Sequence, residues 1–231
     1  MLKAVLLAGG YGKRLKPLTE NLPKPMLEVS GKPILVWQVE WLKKLGVKEF
    51  IVCAGYLREK IIEVIGSGSR LGVKIGYSVE DEPLGTGGAL KNGEHLLRFD
   101  KQFIVVNGDI LTTLNPFRML DLLDGSIACI ALTKLPSPYG IVEFDDKTYL
   151  VKRFAEKPQL TNYINAGVYV FSSEIFKYLP EQGDLEKHTF PLLVERKAIR
   201  AFPYDDAEWI SIDSHKDLEE AQRVVRRFAE A

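Results

Sequence analysis

Short, continuous apolar runs alternate with amphipathic stretches through the first half of the chain. Ala4-Val5-Leu6-Leu7-Ala8 is apolar at every position, which predicts a strand buried on both faces. Pro33 opens a predicted helix in which Ile34, Trp37, Trp41, Leu42 and Leu45 share one face, and Gly46 closes it. A strand over Glu49–Ala54, a helix over Arg58–Ile65 and a strand over Val73–Val79 follow. A helix from about Gly88 to Leu97 then leads into a strand over Phe103–Val106. This alternation predicts a mainly parallel sheet with right-handed crossovers and helices on both faces. Ligands of such sheets bind beyond the carboxyl ends of the strands.

The rhythm changes near Pro136. Tyr139–Phe144, Tyr149–Ala155 and Ala166–Phe171 read as strands, with Asp145-Asp146-Lys147 as a hairpin turn. From Ser211 to Ala231 the pattern is that of a charged amphipathic helix, N-capped by Ser214, with Leu218, Ala221, Val225 and Phe228 as its apolar stripe. No repeat, linker or low-complexity tract divides the sequence. One domain over 1–231 is therefore expected, with a first part to about residue 135 and a second from about 136 onward.

Composition narrows the class. The 231 residues are 46% hydrophobic and 27% charged, which suffices for a full core. Lysine plus arginine equal aspartate plus glutamate at 31 each, and a zero balance argues against a general nucleic-acid or membrane-surface binder. Cys53 and Cys129 sit inside apolar runs and read as small buried hydrophobes of a reducing compartment. The opening apolar run is too short for a signal sequence, and no stretch approaches the roughly 20 apolar residues of a membrane span. The cytoplasm is the expected location. His95, His188 and His215 show no metal-ligand spacing and are expected at the surface.

The candidate chemistry begins directly after the first strand. Gly9, Gly10 and Gly12 let the backbone approach an anion and present N–H groups to phosphate oxygens. Lys13, Arg14, Lys16 and Lys24 surround them, opposed only by Glu20. The Walker pattern is absent, and the dinucleotide fingerprint would need a glycine where Leu15 stands, which argues against NAD. The glycines alone fit a surface turn equally well.

The longer string is more specific. Leu7-Ala8-Gly9-Gly10-Tyr11-Gly12-Lys13-Arg14-Leu15-Lys16-Pro17-Leu18-Thr19, followed by Pro23-Lys24-Pro25-Met26, resembles the signature of the sugar-1-phosphate nucleotidylyltransferases. That family includes glucose-1-phosphate thymidylyltransferase and mannose-1-phosphate guanylyltransferase, and the layout is most like that of the guanylyltransferases. The resemblance implies an α/β fold with a Rossmann-like, GT-A-like sheet and a smaller antiparallel sugar-side sheet. It assigns a nucleoside triphosphate to Leu7, Ala8, Gly9, Gly10, Gly12, Lys13, Arg14 and Lys24. Arg14 would bind the triphosphate with its planar fork of donors, and Lys24 would neutralise charge growing at the α-phosphate.

The resemblance continues in order along the chain. Glu80-Asp81-Glu82-Pro83-Leu84-Gly85-Thr86-Gly87-Gly88-Ala89 matches the family's base-binding loop, with Gly85 and Thr86 beside the base. Read alone it is a turn capping the next helix. Glu80 stands where several members carry glutamine; a carboxylate only accepts, and guanine offers two donors on one edge, so GTP is favoured. Asn107-Gly108-Asp109 ends a predicted strand, and the resemblance assigns Asn107 and Gly108 to the nucleotide and makes Asp109 a Mg²⁺ ligand and a catalytic residue. Gly140, Glu156, Lys157 and Asn165 match the sugar-side elements, with Lys157 holding the sugar phosphate. Where many members place aspartate two residues after an aromatic, this chain has Ser211, so Asp213 is expected as the second metal ligand, with a helix cap as the alternative.

The implied reaction is in-line displacement. A phosphate oxygen of a sugar 1-phosphate attacks the α-phosphorus and pyrophosphate leaves, with Mg²⁺ between the phosphates and no protein nucleophile. Arg14, Lys24, Asp109 and Lys157 are the expected catalytic set. Three alternatives stay open: the same chemistry with another base, a nucleotide-sugar glycosyltransferase, or a silent nucleotide-sugar regulator. The second would normally carry Asp-x-Asp, which is absent, and the third would have lost Arg14, Lys24 or Asp109. The sequence carries no hexapeptide-repeat β-helix, and homo-oligomerisation stays open.

Overall fold

The computed structural model describes residues 2–230, with the side chains of 226, 227, 229 and 230 outside that description. The first half is β1 (Lys3–Ala8), a small ribbon of β2 (Glu28–Val29) and β3 (Lys32–Pro33), α1 (Ile34–Lys44), β4 (Glu49–Ala54), α2 (Arg58–Ile65) and β5 (Lys74–Val79). Helices α3 (Gly85–Asn92) and α4 (Glu94–Leu97) then precede β6 (Gln102–Asn107) and β7 (Ile110–Thr112). The second half holds β8 (Ala128–Pro136), β9 (Ile141–Phe144), β10 (Val151–Ala155), β11 (Gln159–Ser172), α5 (Phe190–Glu195), β12 (Ile199–Pro203), β13 (Trp209–Ser211) and α6 (His215–Glu230).

Seven strands form one sheet in the order β12-β8-β11-β6-β1-β4-β5. β5, β4, β1 and β6 are mutually parallel, as the β-α-β rhythm predicts, whereas β11 runs antiparallel to both β6 and β8. The main sheet therefore extends through both halves of the chain. Outside the main sheet the second half contributes two small antiparallel pieces, the β9–β10 hairpin and the pairing of β13 with β7. Val5, Leu6, Val52, Ile104, Val105 and Val106 are fully enclosed because helices cover both faces.

Local chemistry explains several boundaries. Gly46, at φ 101°, turns the chain out of α1 while its N–H and that of Val47 bond back to Lys43 and Leu42 at 2.9 and 3.0 Å. The helix expected over Gly88–Leu97 starts earlier and is split at Gly93. The Gly183 carbonyl accepts from the N–H groups of Gly87 and Gly88, anchoring an earlier first turn. The strand expected over Ala166–Phe171 begins at Gln159 because its early part pairs with β8 through irregular register.

Ser214 caps α6 as expected. Its Oγ accepts from the Asp217 N–H, and the Asp217 carboxylate accepts from the Ser214 N–H at 2.7 Å, a reciprocal capping box. Ala221 and Val225 of α6 then pack on Leu15, Leu27, Val29, Ile34 and Ile212, tying the helix to the segment after the glycine loop. Cys53 and Cys129 are free and buried. Burial pushes their thiols up to about 12 and about 11, so neither is poised as a thiolate. The three histidines are exposed, and among the described residues no helix is long and apolar enough to cross a membrane.

Candidate active site

The carboxyl ends of β1 and β6 lie side by side, with Leu7 opposite Asn107, and the Gly108 N–H closes the junction on the Leu7 carbonyl at 2.9 Å. A Cβ on Gly108 would sit 2.5 Å from that carbonyl, so only glycine lets the chain turn here and present Asp109 above the sheet. Gln38 of α1 supports the turn from below, donating to the Asn107 and Ile110 carbonyls at 2.8 Å each.

Charge converges on Asp109. Lys24, held in a short turn behind Pro23, places its ammonium 2.7 Å from Asp109 Oδ2 and 2.9 Å from Asp213 Oδ1. Arg14 reaches the same Asp213 oxygen at 2.6 Å and is otherwise largely exposed. Burial pushes the Asp213 carboxyl up, but hydrogen bonds and charge from Lys24, with Ser211 and Arg14 behind them, outweigh this and hold it below its ordinary value. The Ser211 hydroxyl donates to Asp213 at 2.8 Å, so the residue standing in the usual aspartate position supports the carboxylate two places on. The cap of α6 is Ser214 with Asp217, and the Asp213 side chain is left to the cationic cluster.

Three cavities meet at this point, and Asp109 lines each of them. A cavity of about 320 Å³ is lined by Leu7, Gly9, Gly10, Glu80, Gly85, Thr86, Asn107 and Gly108 among others. A cationic recess of about 250 Å³ holds Gly12, Lys13, Arg14, Lys24 and Asp213. An open groove of about 700 Å³ runs past Asn107, Asn165, Trp209, Asp213 and α6.

Glu80 fills the far end of the first cavity. It is 9% exposed and is wedged between two glycines: a Cβ on Gly9 would collide with its carboxylate, and one on Gly55 would lie 2.6 Å from it. Burial raises the Glu80 carboxyl above its ordinary value, against the lowering effect of the Leu84 N–H that it accepts from. Gly85 adopts φ 76° against the Gly183 backbone, which fixes the loop beside the cavity.

The other sequence-predicted residues are placed unequally. The Ala8 side chain is buried in the core, and Ala8 lines none of the three cavities at Asp109. The Thr86 hydroxyl donates to Glu186 at 2.9 Å and accepts from the Leu185 N–H. Asn165 donates to the buried Tyr169 hydroxyl at 2.9 Å and accepts from the Gly167 N–H, which leaves one donor and one lone pair free. Gly140 and Glu156 adjoin at the base of the β9–β10 hairpin, beside Lys157 with its φ of 45°. Those three residues are not among the lining of the cavities at Asp109. The structure brings together the phosphate, metal and base candidates, and it leaves that part of the sugar set on the exposed hairpin.

Sequence reasoning missed Asp184, Glu186, Tyr169 and Gln38. Asp184 lines the nucleotide cavity, and Glu186 links Thr86 to Tyr169 and so to Asn165. The signal was thin. Gly183-Asp184 followed by Leu185-Glu186-Lys187 marks a turn and a helix start, but only the fold carries it to the base-side loop. Gln38 carries no motif that would single it out in sequence.

Asp109, Lys24 and a glycine loop at the carboxyl edge of a parallel sheet define a nucleotide-handling α/β protein. The family described as nucleotidyl transferase matches residues 3–227, and the chain belongs to it. It is 37% identical over 228 residues to a mannose-1-phosphate guanyltransferase of Saccharomyces cerevisiae, an alignment that covers 94% of this chain. It is 38% identical over 229 residues to a mannose-1-phosphate guanylyltransferase catalytic subunit beta of Danio rerio. The chain spans 63% of the yeast relative's length and 62% of the fish relative's. Among solved structures, HddC from Yersinia pseudotuberculosis superposes with a TM-score of 0.77 at 31% identity, covering 97% of this chain and 100% of that one. The same protein is known complexed with GMP-PN. A UDP-glucose pyrophosphorylase shares the fold, with a TM-score of 0.71 at 21% identity over 98% of this chain and 99% of its own.

Proposed function

We infer that the chain transfers a guanylyl group from GTP to a mannose- or glucose-type sugar 1-phosphate, giving a GDP-sugar and pyrophosphate. The observation that carries this reading is the position of Asp109, bonded to Lys24 where a cavity ending at Glu80, a cationic recess and a third groove join. Triphosphate in the recess would lie between Gly10, Gly12, Arg14 and Lys24, with its base toward Glu80. Sugar phosphate in the groove would then approach the α-phosphorus from the opposite side. Its phosphate oxygen forms the new P–O bond as the bond to the β-phosphate oxygen breaks, and pyrophosphate carries off the electron pair. The attacking phosphate is ionised near neutral pH, so positioning and charge neutralisation do the work. Asn165, which lines that groove, would offer its remaining donor and lone pair to a sugar hydroxyl, whereas Glu156 and Lys157 on the β9–β10 hairpin lie outside the groove's lining and would engage the sugar and its phosphate only if the hairpin moves toward it.

Two carboxylates within 2.9 Å of one ammonium form a hard oxygen pair suited to Mg²⁺, which takes one or two protein carboxylates and completes its shell with phosphates and water. Asp109 and Asp213 would hold it. Bound there, Mg²⁺ would offset repulsion between the reacting phosphates. Similarity to guanylyltransferases supports the choice of GTP, and the buried free cysteines accord with a cytoplasmic setting.

Five nucleoside triphosphates assayed against mannose, glucose and galactose 1-phosphates, read by pyrophosphate release, test the reading. GTP with mannose 1-phosphate should be among the fastest pairs. Absence of pyrophosphate release from every pair would overturn it.

A further inference from the structure

We propose that Tyr11 is a specificity-determining residue, an aromatic platform that covers the face of the nucleobase whose edge meets Glu80. The inference rests on the guanylyl-transfer reading and names the group that would favour a purine.

Tyr11 is the one side chain in the stretch Gly9-Gly10-Tyr11-Gly12, and it is 42% exposed. It lines the nucleotide cavity together with Glu80, Pro83 and Gly85, and it is the sole aromatic among the described residues there. It also borders a smaller recess on the other side of Glu80, with Gly55, Tyr56 and Pro83. Its ring therefore stands at the end where Glu80 lies. A base entering with its hydrogen-bonding edge toward Glu80 has glycine backbone beneath it and needs a surface over its face.

The ring is held for such a task. Tyr56 packs against it with centroids 5.0 Å apart at 45°. Tyr56 is itself fixed, since its single hydroxyl hydrogen lies between the Glu20 and Thr19 carbonyls, 3.0 and 3.2 Å from its oxygen, and its N–H bonds to the Gly9 carbonyl. Lys13 Nζ lies 5.5 Å from the Tyr11 ring centroid and also lines the phosphate recess, so one short loop serves both ends of a nucleotide. A glycine loop that only had to wrap phosphates would have no use for a large exposed ring braced from behind. A purine offers more area than a pyrimidine to such a ring, so the platform adds discrimination to that made at the Glu80 edge.

Equilibrium binding of GTP, UTP and inorganic triphosphate to wild type, Tyr11→Ala and Tyr11→Phe separates stacking from loop shaping, because inorganic triphosphate has no base. Tyr11→Ala should weaken GTP roughly tenfold or more and UTP less, leave inorganic triphosphate within about twofold, and be rescued by Tyr11→Phe. Equal weakening of GTP and inorganic triphosphate would show that Tyr11 only shapes the loop. Equal weakening of GTP and UTP would remove the specificity role, and a Phe variant as poor as Ala would replace the ring with its hydroxyl. If wild type instead binds UTP better than GTP, the guanine reading fails, while the Ala and Phe contrast still decides whether Tyr11 is a platform for the base that does bind.

Discussion

Lys24 and Asp109, 85 positions apart in sequence, meet at 2.7 Å, and the same ammonium reaches Asp213 at 2.9 Å. A cation assigned to the triphosphate thus bridges the two carboxylates assigned to the metal. Each charged group has a partner in this structure, which permits Lys24 to be 87% enclosed without an unpaired charge: its side chain is 13% exposed.

Removing that cation should disable the reaction. Lys24→Ala leaves two carboxylates facing each other and takes away a donor at the α-phosphate. Turnover should fall by roughly 10²–10³, the loss associated with one transition-state donor. Arg14→Ala should fall by a similar factor. Pyrophosphate release alongside circular dichroism checks both variants. Near-normal turnover in folded protein removes Lys24 and Arg14 from the proposed machinery.

Metal dependence follows from the same pair. Asp109→Asn keeps shape but loses charge, so Mg²⁺ should bind far more weakly in calorimetric titration of the GTP-saturated protein, and activity should collapse. Asp213→Asn should raise the Mg²⁺ concentration needed for half-maximal activity, because Asp213 shares the Lys24 ammonium and is supported by Ser211. A Mg²⁺ requirement unchanged in Asp213→Asn would leave that carboxylate as a structural partner of Lys24 and Arg14.

Gly85→Ala tests the joint between the base-side loop and the turn at Gly183. Gly85 holds φ 76°, and a Cβ there would lie 2.7 Å from the Gly183 carbonyl carbon and oxygen, both backbone atoms. The variant should lose more than about 1 kcal/mol of stability, the scale for alanine forced to positive φ. It should also raise KM for the triphosphate more than for the sugar phosphate. Equal KM changes would mean that the loop serves both substrates alike.

That the glycines and cations gather in one recess was legible because they are local in sequence. Three glycines, Arg14 and Lys24 crowd into a short span after a strand whose apolar run marks it as central, and Asp109 ends another such strand. The second half was harder to read. Glu186 reaches Thr86 from 100 positions away, and Asp184 comes to the nucleotide cavity only because Gly183 bonds to the N–H groups of α3. No periodicity encodes such contacts. The extended length of β11 was hidden for a related reason: Leu160, Tyr163 and Ile164 stand among polar residues from Gln159 to Asn165 without strict alternation, and the segment is strand because β8 offers a partner there.

Glu80 links stability, pH and base choice. Burial raises its carboxyl above the ordinary value of 4.5. Between that value and the raised folded one, the native chain keeps a proton that the unfolded chain has released. Stability therefore falls as pH rises through this window and levels off above it. Glu80→Gln cannot titrate, so its melting temperature should lack this decline and lie closer to its acid-side value at neutral pH. In the proposed reading the ionised carboxylate would accept from the two donors of guanine, whereas the carbonyl oxygens flanking the single N–H of uracil would face it acceptor to acceptor. kcat/KM for GTP should rise with pH as Glu80 ionises, and Glu80→Gln should lower it while improving UTP or dTTP. The combined swing should be about 1–3 kcal/mol, the scale of one mismatched buried polar contact. Steady-state kinetics of both proteins across pH read it directly. An unchanged GTP-to-UTP ratio in Glu80→Gln would take base selection away from this carboxylate and leave the transfer chemistry at Asp109 and Lys24 untouched.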